Sequence, residues 1–537
     1  MFREEIKKSL LSVLEDLSIP VSEKEIVLEH PVQLSNGDYS INSSRFRPKS
    51  LVESEAHVAL LPSVDLAQKV IARWNELGFP DFVEKVEVAG PGFINMWLKI
   101  GALSASASLV LAQGSKFGTS KILSGKKIMV EYAHPNTHKE LHIGHMRTLI
   151  TGEALSRIFA AAGAKVFRAN YQGDIGPHVA KSIWGTEKLL KERKTTWEEA
   201  EKLSLAEKAH LLGEGYVLGV REYVNFKEEI DDLNTKIYNR FAKTPRQFGG
   251  VDEGKARFQA SPETNGKAVE SLPEKTLGFQ PREAYQKDPA VLAIYEHTRR
   301  WSLEYYDTFY TRFGTKFDQL FFESEVAESG KKIVKENVGR VFTKSEGAII
   351  FDGEKYGLHK RVFITADGNP TYEAKDMGLA YRQFEAFPFD LNVHVVANEQ
   401  LGYFQVMIKA LERLDPYFKD REYHLPMGMV NLVSKKMSSR TGEILRVDDL
   451  FDEVKNLLRP LVKEEKLSAK EKEKILEVAT IAAVKYSVLR VGPKQDVVFD
   501  PEKSVSLQGD SGPYLEYTLA RTQSVLRKVQ GDRKSVV

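Results

Sequence analysis

Residues 128–147, IMVEYAHPNTHKELHIGHMR, decide the fold that the sequence predicts. The run begins as an apolar strand, passes through a polar loop and continues into a helical pattern that lasts until about Ala162. Gly163 is a residue type that commonly ends a helix, and a second strand-like segment, KVFRANY at 165–171, follows it. A strand, a helix and a second strand in this order predict a βαβ unit and hence a parallel sheet.

The rest of the chain extends this pattern in both directions. Strand and helix alternate again from GAIIFDG at 347–353, while residues 186–310 are mostly charged helix and are interpreted as an insertion. Residues 104–127 are interpreted as a bridge of small residues between two domains. We therefore predict the α/β class, with a small α/β domain at 1–115, a doubly wound, Rossmann-like core at 116–446 and a helical region at 447–537.

Composition excludes several classes of protein. The 537 residues carry a formal net charge of +2 and include no cysteine, which excludes disulfides, cysteine-ligated zinc and a thiol nucleophile. No run approaches the roughly 20 apolar residues that a membrane span requires. The N-terminal 17 residues carry Glu4, Glu5 and Glu15 and predict an amphipathic helix rather than a signal peptide. We expect a cytoplasmic protein without a membrane partner, and a monomer by default.

His142, Gly144 and His145 stand where the first strand has ended and the next helix begins. A helix N-terminus has unpaired N–H groups and a positive dipole end, so it attracts phosphate. Gly144 leaves room for a nucleotide near the backbone, and the two histidines share a helical face from which they can donate to phosphoryl oxygens. Alone, this four-residue pattern is equally consistent with ordinary surface or capping histidines.

A second motif, SKKMSSRTG, occupies 434–442 and could on its own be a solvated basic loop. Together, in this order on an α/β chain, the two motifs resemble the signature pair of class I aminoacyl-tRNA synthetases. The residues that this resemblance assigns to ATP are His142, Gly144, His145, Lys436, Met437, Ser438 and Ser439.

The resemblance extends to the arginyl-tRNA synthetases. The order of motifs found in that family is matched by FRANYQGDIG, TYEAKDMGLA, VVANEQ and GPYLEYTLAR, and VEVAGPGFINMWL resembles the end of its N-terminal domain, which contacts tRNA. A guanidinium is best held by carboxylates in forked contacts. The residues that match the family's arginine site are Glu131, Asn136, Glu323, Tyr372, Asp376 and Gln400. Asn170 and the turn at 173–176 match a segment that lines the active site.

The resemblance implies a reaction in two steps. Arginine and Mg-ATP give arginyl-adenylate and diphosphate, and the terminal ribose of tRNA(Arg) then takes the arginyl group. His142, His145 and Lys436 would stabilise the phosphates, with Mg²⁺ arriving on ATP and no metal bound by the protein itself. The motif's common second lysine is Ser439 here, and we expect Lys139 to act in its place on the α-phosphate side.

Two alternatives remain open, a nucleotidyltransferase with HxGH chemistry and a non-catalytic tRNA-binding relative.

Two segments depart from the family pattern. Residues 244–287 are more polar than the family usually requires. The last six residues, 532–537, resemble the translation of a sequencing adapter, so we expect that they are artefactual and that a helical anticodon-binding domain, begun near Tyr514, is truncated.

Overall fold

The computed structural model of the chain describes residues 2–31, 33–46, 62–239, 241, 289–433, 446–462 and 467–534. The chain divides into two compact units, Met1–Thr119 and Ser120–Val537. Residues 244–287 and 434–442, both singled out from the sequence, lie outside the described residues, as do 535–537. Within the described part of the chain, no helix has both the length and the apolar character needed to cross a bilayer.

The first unit is a three-stranded antiparallel sheet with a hydrophobic core. The amphipathic N-terminal helix is confirmed, since Ile6 and Leu10 on one of its faces are fully buried. Trp74 is buried beside them and donates to Ser9 Oγ at 2.7 Å. The elements are α1 (Phe2–Asp16), β1 (Tyr39–Asn42), α2 (Ser63–Leu77), β2 (Val83–Ala89), β3 (Phe93–Leu98) and α3 (Ile100–Gln113).

Helix α3 occupies the first part of residues 104–127, which the sequence predicts to be a bridge of small residues between two domains. Residues 104–113 are alanine, serine, leucine, valine and glutamine, with neither glycine nor proline before Gly114, so nothing in them prevents a helix. No residue of α3 is buried.

The second unit contains the predicted core. Its elements follow in the order β4 (Lys127–Glu131), α4 (Ile143–Ala161), β5 (Lys165–Gln172), α5 (Pro177–Glu192), α6 (Trp197–Ala200), α7 (Leu205–Arg221), α8 (Lys227–Asn239), α9 (Pro289–Arg312), β6 (Gln319–Phe322), α10 (Glu323–Glu336), β7 (Thr343–Ser345), β8 (Ala348–Phe351), β9 (Arg361–Ile364), α11 (Tyr372–Ala386), β10 (Leu391–Ala397), α12 (Leu401–Leu414), β11 (Glu422–Met427), β12 (Val430–Leu432), α13 (Val447–Leu458), α14 (Ala469–Leu489), β13 (Val497–Phe499), α15 (Pro501–Ser504) and α16 (Gly512–Lys534).

Five strands form a parallel sheet in the order β11-β10-β4-β5-β6, so the predicted doubly wound α/β core is confirmed. Within this sheet β4 comes first in the chain, β5 and β6 follow on one side of it, and β10 and β11 then pair on its other side. This reversal places the topological switch point between β4 and β10, where open α/β sheets bind ligands at the carboxyl ends of the strands. Ile128 and Val130 pack in one core cluster with α4, whereas Met129 packs in the cluster of α11 and α12.

Two smaller sheets differ from the predictions. Strands β7, β8 and β9 form a separate antiparallel sheet instead of joining the alternation of the core. Residues from Val447 onward are not all helical, because β13 pairs in parallel with β12. The cause is local composition: Val497 and Phe499, both buried, flank Val498 in a short apolar run that favours a strand.

Candidate active site

His142 is the N-cap of α4, and its own side chain caps the helix. Its Nδ1 accepts from the backbone N–H of Gly144 at 3.1 Å and of His145 at 3.4 Å. His145 reciprocates, since its Nδ1 accepts from the backbone N–H of His142 at 3.4 Å. An Nδ1 that accepts leaves the ring proton on Nε2. Both imidazoles therefore keep an Nε2–H donor for a ligand.

The two rings are stacked, with centroids 3.7 Å apart. Burial, followed by the charge of nearby Lys139, lowers the pKa of His142 to about 4. Burial lowers the pKa of His145 well below its usual value as well, and His142 and Lys139 add to the effect. At neutral pH both side chains are uncharged donors rather than cations.

Gly144 is required for a reason that the sequence did not show. A Cβ at this position would lie 2.9 Å from the His142 ring, closer than side-chain atoms pack. The glycine thus allows His142 to fold back over the first turn of α4 and cap it.

Lys139 and Asn136 lie in the loop between β4 and α4, which helix α9 holds in place. Tyr306 Oη donates to the backbone oxygens of Asn136 at 2.6 Å and Lys139 at 2.7 Å. The buried His138 bonds Thr298 Oγ1 through Nε2 at 2.8 Å. Lys139 Nζ lies 4.2 Å from the centroid of the Tyr216 ring on α7. The predicted insertion therefore supports the loop that carries two candidate site residues.

Asn136 and Glu323 meet at Gly173. Asn136 forms an isolated parallel bridge with Gly173, and Glu323 is the first residue of α10. A Cβ on Gly173 would stand 2.2 Å from Asn136 Oδ1 and 3.2 Å from Glu323 Oε1. Glycine at this turn is what lets the two side chains approach each other from different elements.

Glu323 has a partner that the sequence did not indicate. Lys375 Nζ donates to Glu323 Oε2 at 2.6 Å, and both residues are buried. Although burial opposes the charged ammonium, Glu323 raises the pKa of Lys375 to about 12. Glu323, which the resemblance assigns to the arginine site, is therefore already paired with the ammonium group of Lys375.

Asp376, the next residue of α11, has a different partner. Tyr403 Oη donates to Asp376 Oδ2. Desolvation raises the pKa of Asp376 to about 8, and the negative charges of Glu131 and Glu323 act in the same direction. Much of Asp376 therefore carries a proton at pH 7 in the free protein, and an incoming cation would favour its ionised form.

Tyr372 and Gln400 lie at more exposed positions. Tyr372 begins α11 and is 55% exposed, with Lys375 Nζ 5.0 Å from its ring centroid. Gln400 is exposed and precedes α12, just after the carboxyl end of β10. The hydroxyl bonded to Asp376 comes from Tyr403, a residue that the sequence did not indicate.

Tyr171 and His394 were also missed. The Tyr171 hydroxyl is buried without a hydrogen-bond partner among the described residues. Burial is the largest cause of its raised pKa, and the negative charges of Glu323, Asp376 and Glu131 add to the rise. Its position beside Asn170 in the motif that lines the site was the available signal. His394 lies next to Glu131 across the sheet, which no pattern along the chain reveals.

Asn170 and Asp174 have structural partners. Asn170 Nδ2 donates to Tyr310 Oη at 3.0 Å and its Oδ1 accepts from the His134 backbone at 3.2 Å. Asp174 is fully buried and accepts from Arg299 Nε at 2.9 Å. These contacts fix the loops after β4 and β5.

Lys436, Met437, Ser438 and Ser439 lie outside the described residues. The chain resumes beside the other motif, because Arg446 forms an isolated antiparallel bridge with His142 and the N–H of Val447 donates to the Leu141 oxygen at 3.1 Å. Arg446 Nη1 also lies 3.2 Å from Glu140 Oε1. The chain that follows the second motif is therefore anchored at the start of α4 from Arg446 onward.

Comparison with known proteins identifies the family of this chain. The family model "tRNA synthetases class I (R), catalytic domain" matches residues 106–234 and 285–500, and "Arginyl tRNA synthetase N terminal domain" matches 4–98. The chain belongs to the arginyl-tRNA synthetase family. The resemblance found in the sequence is thereby confirmed.

Relatives and solved structures match over most of the chain. The arginine–tRNA ligase of Treponema pallidum is 30% identical over 99% of this chain and 81% of its own length. That of Treponema denticola is 31% identical over 94% of this chain and 77% of its own. The Thermus thermophilus arginyl-tRNA synthetase structure shares the fold with a TM-score of 0.68 at 20% identity, covering 98% of this chain and 82% of that one.

Proposed function

We propose that this site joins L-arginine to tRNA(Arg) in the two steps of a class I synthetase. The enzyme is an arginine–tRNA ligase, with ATP as a substrate. The observation that supports this assignment best is the convergence of Glu131, Asn136, Glu323 and Asp376 at the carboxyl edge of the sheet, beside a helix N-terminus with two neutral histidines. The two alternatives, a nucleotidyltransferase and a non-catalytic relative, are not favoured by the relatives.

The acids divide between the two cationic groups of arginine. Glu131 would bind the α-ammonium group. Burial opposes its charge, but His394 and, to a smaller extent, His134 lower its pKa to about 2. Asp376 would bind the guanidinium, aided by Glu323 and Tyr372. Asn136 and Gln400 would contact the backbone end of the amino acid. A side chain without a positive charge would leave Asp376 protonated and would gain no ion pair with it, so it would bind more weakly than arginine.

In the first step an arginine carboxylate oxygen bonds to the α-phosphorus of ATP while the bond to the β-phosphate oxygen breaks, so diphosphate leaves. In the second step a ribose hydroxyl of tRNA attacks the arginyl carbonyl, loses its proton and displaces AMP. His142 and His145 donate through Nε2 to phosphate oxygens, and Lys139 and Lys436 supply positive charge. No covalent bond to the protein forms, so positioning and charge stabilisation account for catalysis.

Magnesium would enter with ATP. Among the described residues there is no group of three or more His, Asp or Glu side chains that could hold a metal ion. Mg²⁺ prefers phosphate oxygens and retained waters to an all-protein site, and when bound it neutralises phosphate charge. We further propose that the enzyme acts as a monomer in the cytoplasm, and that the N-terminal domain, residues 1–115, contacts the tRNA.

The assignment is tested by charging total tRNA in the presence of Mg-ATP and each amino acid in turn. Only arginine should become acid-precipitable. Charging with a different amino acid contradicts the proposal, and diphosphate exchange without any tRNA requirement or amino-acid preference would favour a nucleotidyltransferase. tRNA is present throughout because the acid-precipitable product is the charged tRNA itself.

Replacing Lys139 with alanine should lower kcat for charging by about 10- to 100-fold, because one charge near the reacting phosphate is lost. The KM for arginine should change little, since Lys139 lies beside the histidines rather than the acids. Lys181→Ala is a matched control, because Lys181 also stacks on a tyrosine, Tyr223, at 3.8 Å. Equal kcat in the wild type and Lys139→Ala would remove Lys139 from the catalytic set.

A further inference from the structure

A ladder of buried polar side chains crosses three strands on the face of the sheet that packs against α11 and α12. Glu131 of β4 lies in register with His394 of β10, and Asn392 lies in register with Glu422 of β11. Exposure is 2% for Glu131, 4% for His394 and 7% for Glu422. Neighbouring strands are about 4.8 Å apart, so side chains in register on one face must interact.

His394 bridges two carboxylates. Its Nδ1 lies 3.3 Å from Glu131 Oε1 and its Nε2 lies 2.8 Å from Glu422 Oε2. The pKa of Glu131 is about 2, so this carboxylate only accepts hydrogen bonds and Nδ1 donates to it. Burial raises the pKa of Glu422, whereas the hydrogen bond and charge of His394 lower it, so the imidazolium form of the ring is the form that donates to both carboxylates. Burial opposes this charge, but Glu131 and Glu422 raise the pKa of His394 to about 10.

The other oxygen of Glu131 is held as well. Gln383 Nε2 donates to Glu131 Oε2, and Asn392 Nδ2 donates to Gln383 Oε1 at 3.0 Å. His134 Nδ1 lies 3.5 Å from Glu131 Oε1. A small cavity borders Glu131, His394, Glu422 and Asp376, so the network adjoins the guanidinium end of the proposed site.

We propose that His394 is a positioning residue for arginine activation, since its bonds to Glu131 and Glu422 hold the Glu131 carboxylate, ionised and oriented, for the α-ammonium group of arginine. This rests on the proposed function of Glu131. With Glu422 ionised, two carboxylates and one imidazolium carry one net negative charge, which the ammonium group would neutralise. Without the imidazolium, two buried carboxylates would face each other and one would take up a proton.

Two isosteric substitutions separate this role from simple packing. The amide of asparagine matches the position of Nδ1, so His394→Asn keeps a donor toward Glu131. The amide of glutamine matches Nε2, so His394→Gln keeps only the donor toward Glu422. We expect His394→Gln to raise the KM for arginine about 30-fold and His394→Asn about 5-fold, because only the glutamine variant loses the hydrogen bond to the charged Glu131 carboxylate. The KM for ATP should stay within about twofold in both.

His424→Asn is the matched control. His424 is buried on β11 and packs on the same Phe404 ring, with centroids 4.3 Å apart, whereas His394 lies 5.2 Å from that ring. Burial lowers the pKa of His424 to about 4, so it is a neutral ring. The control should lose a similar amount of thermal stability without any change in the KM for arginine.

Glu422→Gln provides a second measurement if the His394 variants do not fold. The amide oxygen can still accept from Nε2, but the pKa of His394 falls because one of its two carboxylates is gone. The loss of kcat/KM for arginine with rising pH should begin at least about one pH unit lower than in the wild type. The groups that face His394 and titrate with it are Glu131, Glu422, Asp376, His134 and His424.

The outcomes distinguish this role from the function on which it rests. If the wild-type enzyme charges an amino acid other than arginine, the proposed function fails. If it charges arginine while both His394 variants share its KM for arginine, or while Glu422→Gln has an unshifted pH profile, the role of His394 is overturned and the function stands.

Discussion

Replacing Asp376 with asparagine is expected to lower kcat/KM for arginine about 1,000-fold, because removing one partner of a buried ion pair costs roughly 3–5 kcal/mol. The amide of the variant would still bond Tyr403, whose hydroxyl donates to the aspartate in the wild type, so the fold should be retained. Steady-state charging at saturating ATP and tRNA measures the effect. The KM for ATP should not change, because Asp376 lies with the acids and not at the helix N-terminus.

Glu385→Gln is the matched control for this substitution. It removes one carboxylate from the same helix, but Glu385 is exposed and pairs with Arg382 at 2.7 Å. Kinetics indistinguishable from wild type are expected for the control. A loss of less than about tenfold in Asp376→Asn would mean that another acid holds the guanidinium.

The same substitution has a second consequence for pH dependence. Asp376 has a pKa of about 8 in the free protein and must ionise to pair with the guanidinium, so arginine binding releases a proton. Affinity should therefore rise with pH, by up to about tenfold per unit below pH 8, and level off above it. Calorimetric titration in two buffers of different ionisation heat measures the released proton. Asp376→Asn should abolish both the proton release and the rise.

The features that local patterns specify could be predicted from the sequence. Strand β4, the start of α4 at its histidine cap and the return into β5 depend on residues within one βαβ unit, and the structure confirms them. The grouping of Glu131, Asn136, Glu323 and Asp376 in one arginine site was implied by the resemblance alone.

The partners of these residues could not be predicted, because they come from distant parts of the chain. Tyr403 reaches Asp376 from α12, Lys375 turns away from Asp376 toward Glu323, and His394 meets Glu131 only through the pairing of β10 with β4. Burial then sets the chemistry. The raised pKa of Asp376 and the lowered pKa of His142 both arise mainly from desolvation, which depends on tertiary packing.

Replacing His142 with asparagine should lower the rate of arginyl-adenylate formation about 100- to 1,000-fold while leaving the helix capped, because loss of one oriented donor to developing charge costs about this much. Asparagine is among the best N-cap residues, so its Oδ1 can accept from the Gly144 N–H as Nδ1 does at 3.1 Å. The substitution deletes only the Nε2–H donor. Single-turnover formation of the adenylate with tRNA present measures the rate, and thermal unfolding should differ little from wild type.

His142→Ala separates the two functions of the ring. It removes the cap and the donor together, so it should match the asparagine variant in rate but lose about 1 kcal/mol more stability. A near-wild-type rate in His142→Asn would mean that the ring serves only as a cap. The His142 and His145 rings are stacked, with centroids 3.7 Å apart, so their Nε2–H groups are close enough to act on the same phosphates. Because both donors act on the same phosphates, replacing both histidines should cost less than the product of the two single effects.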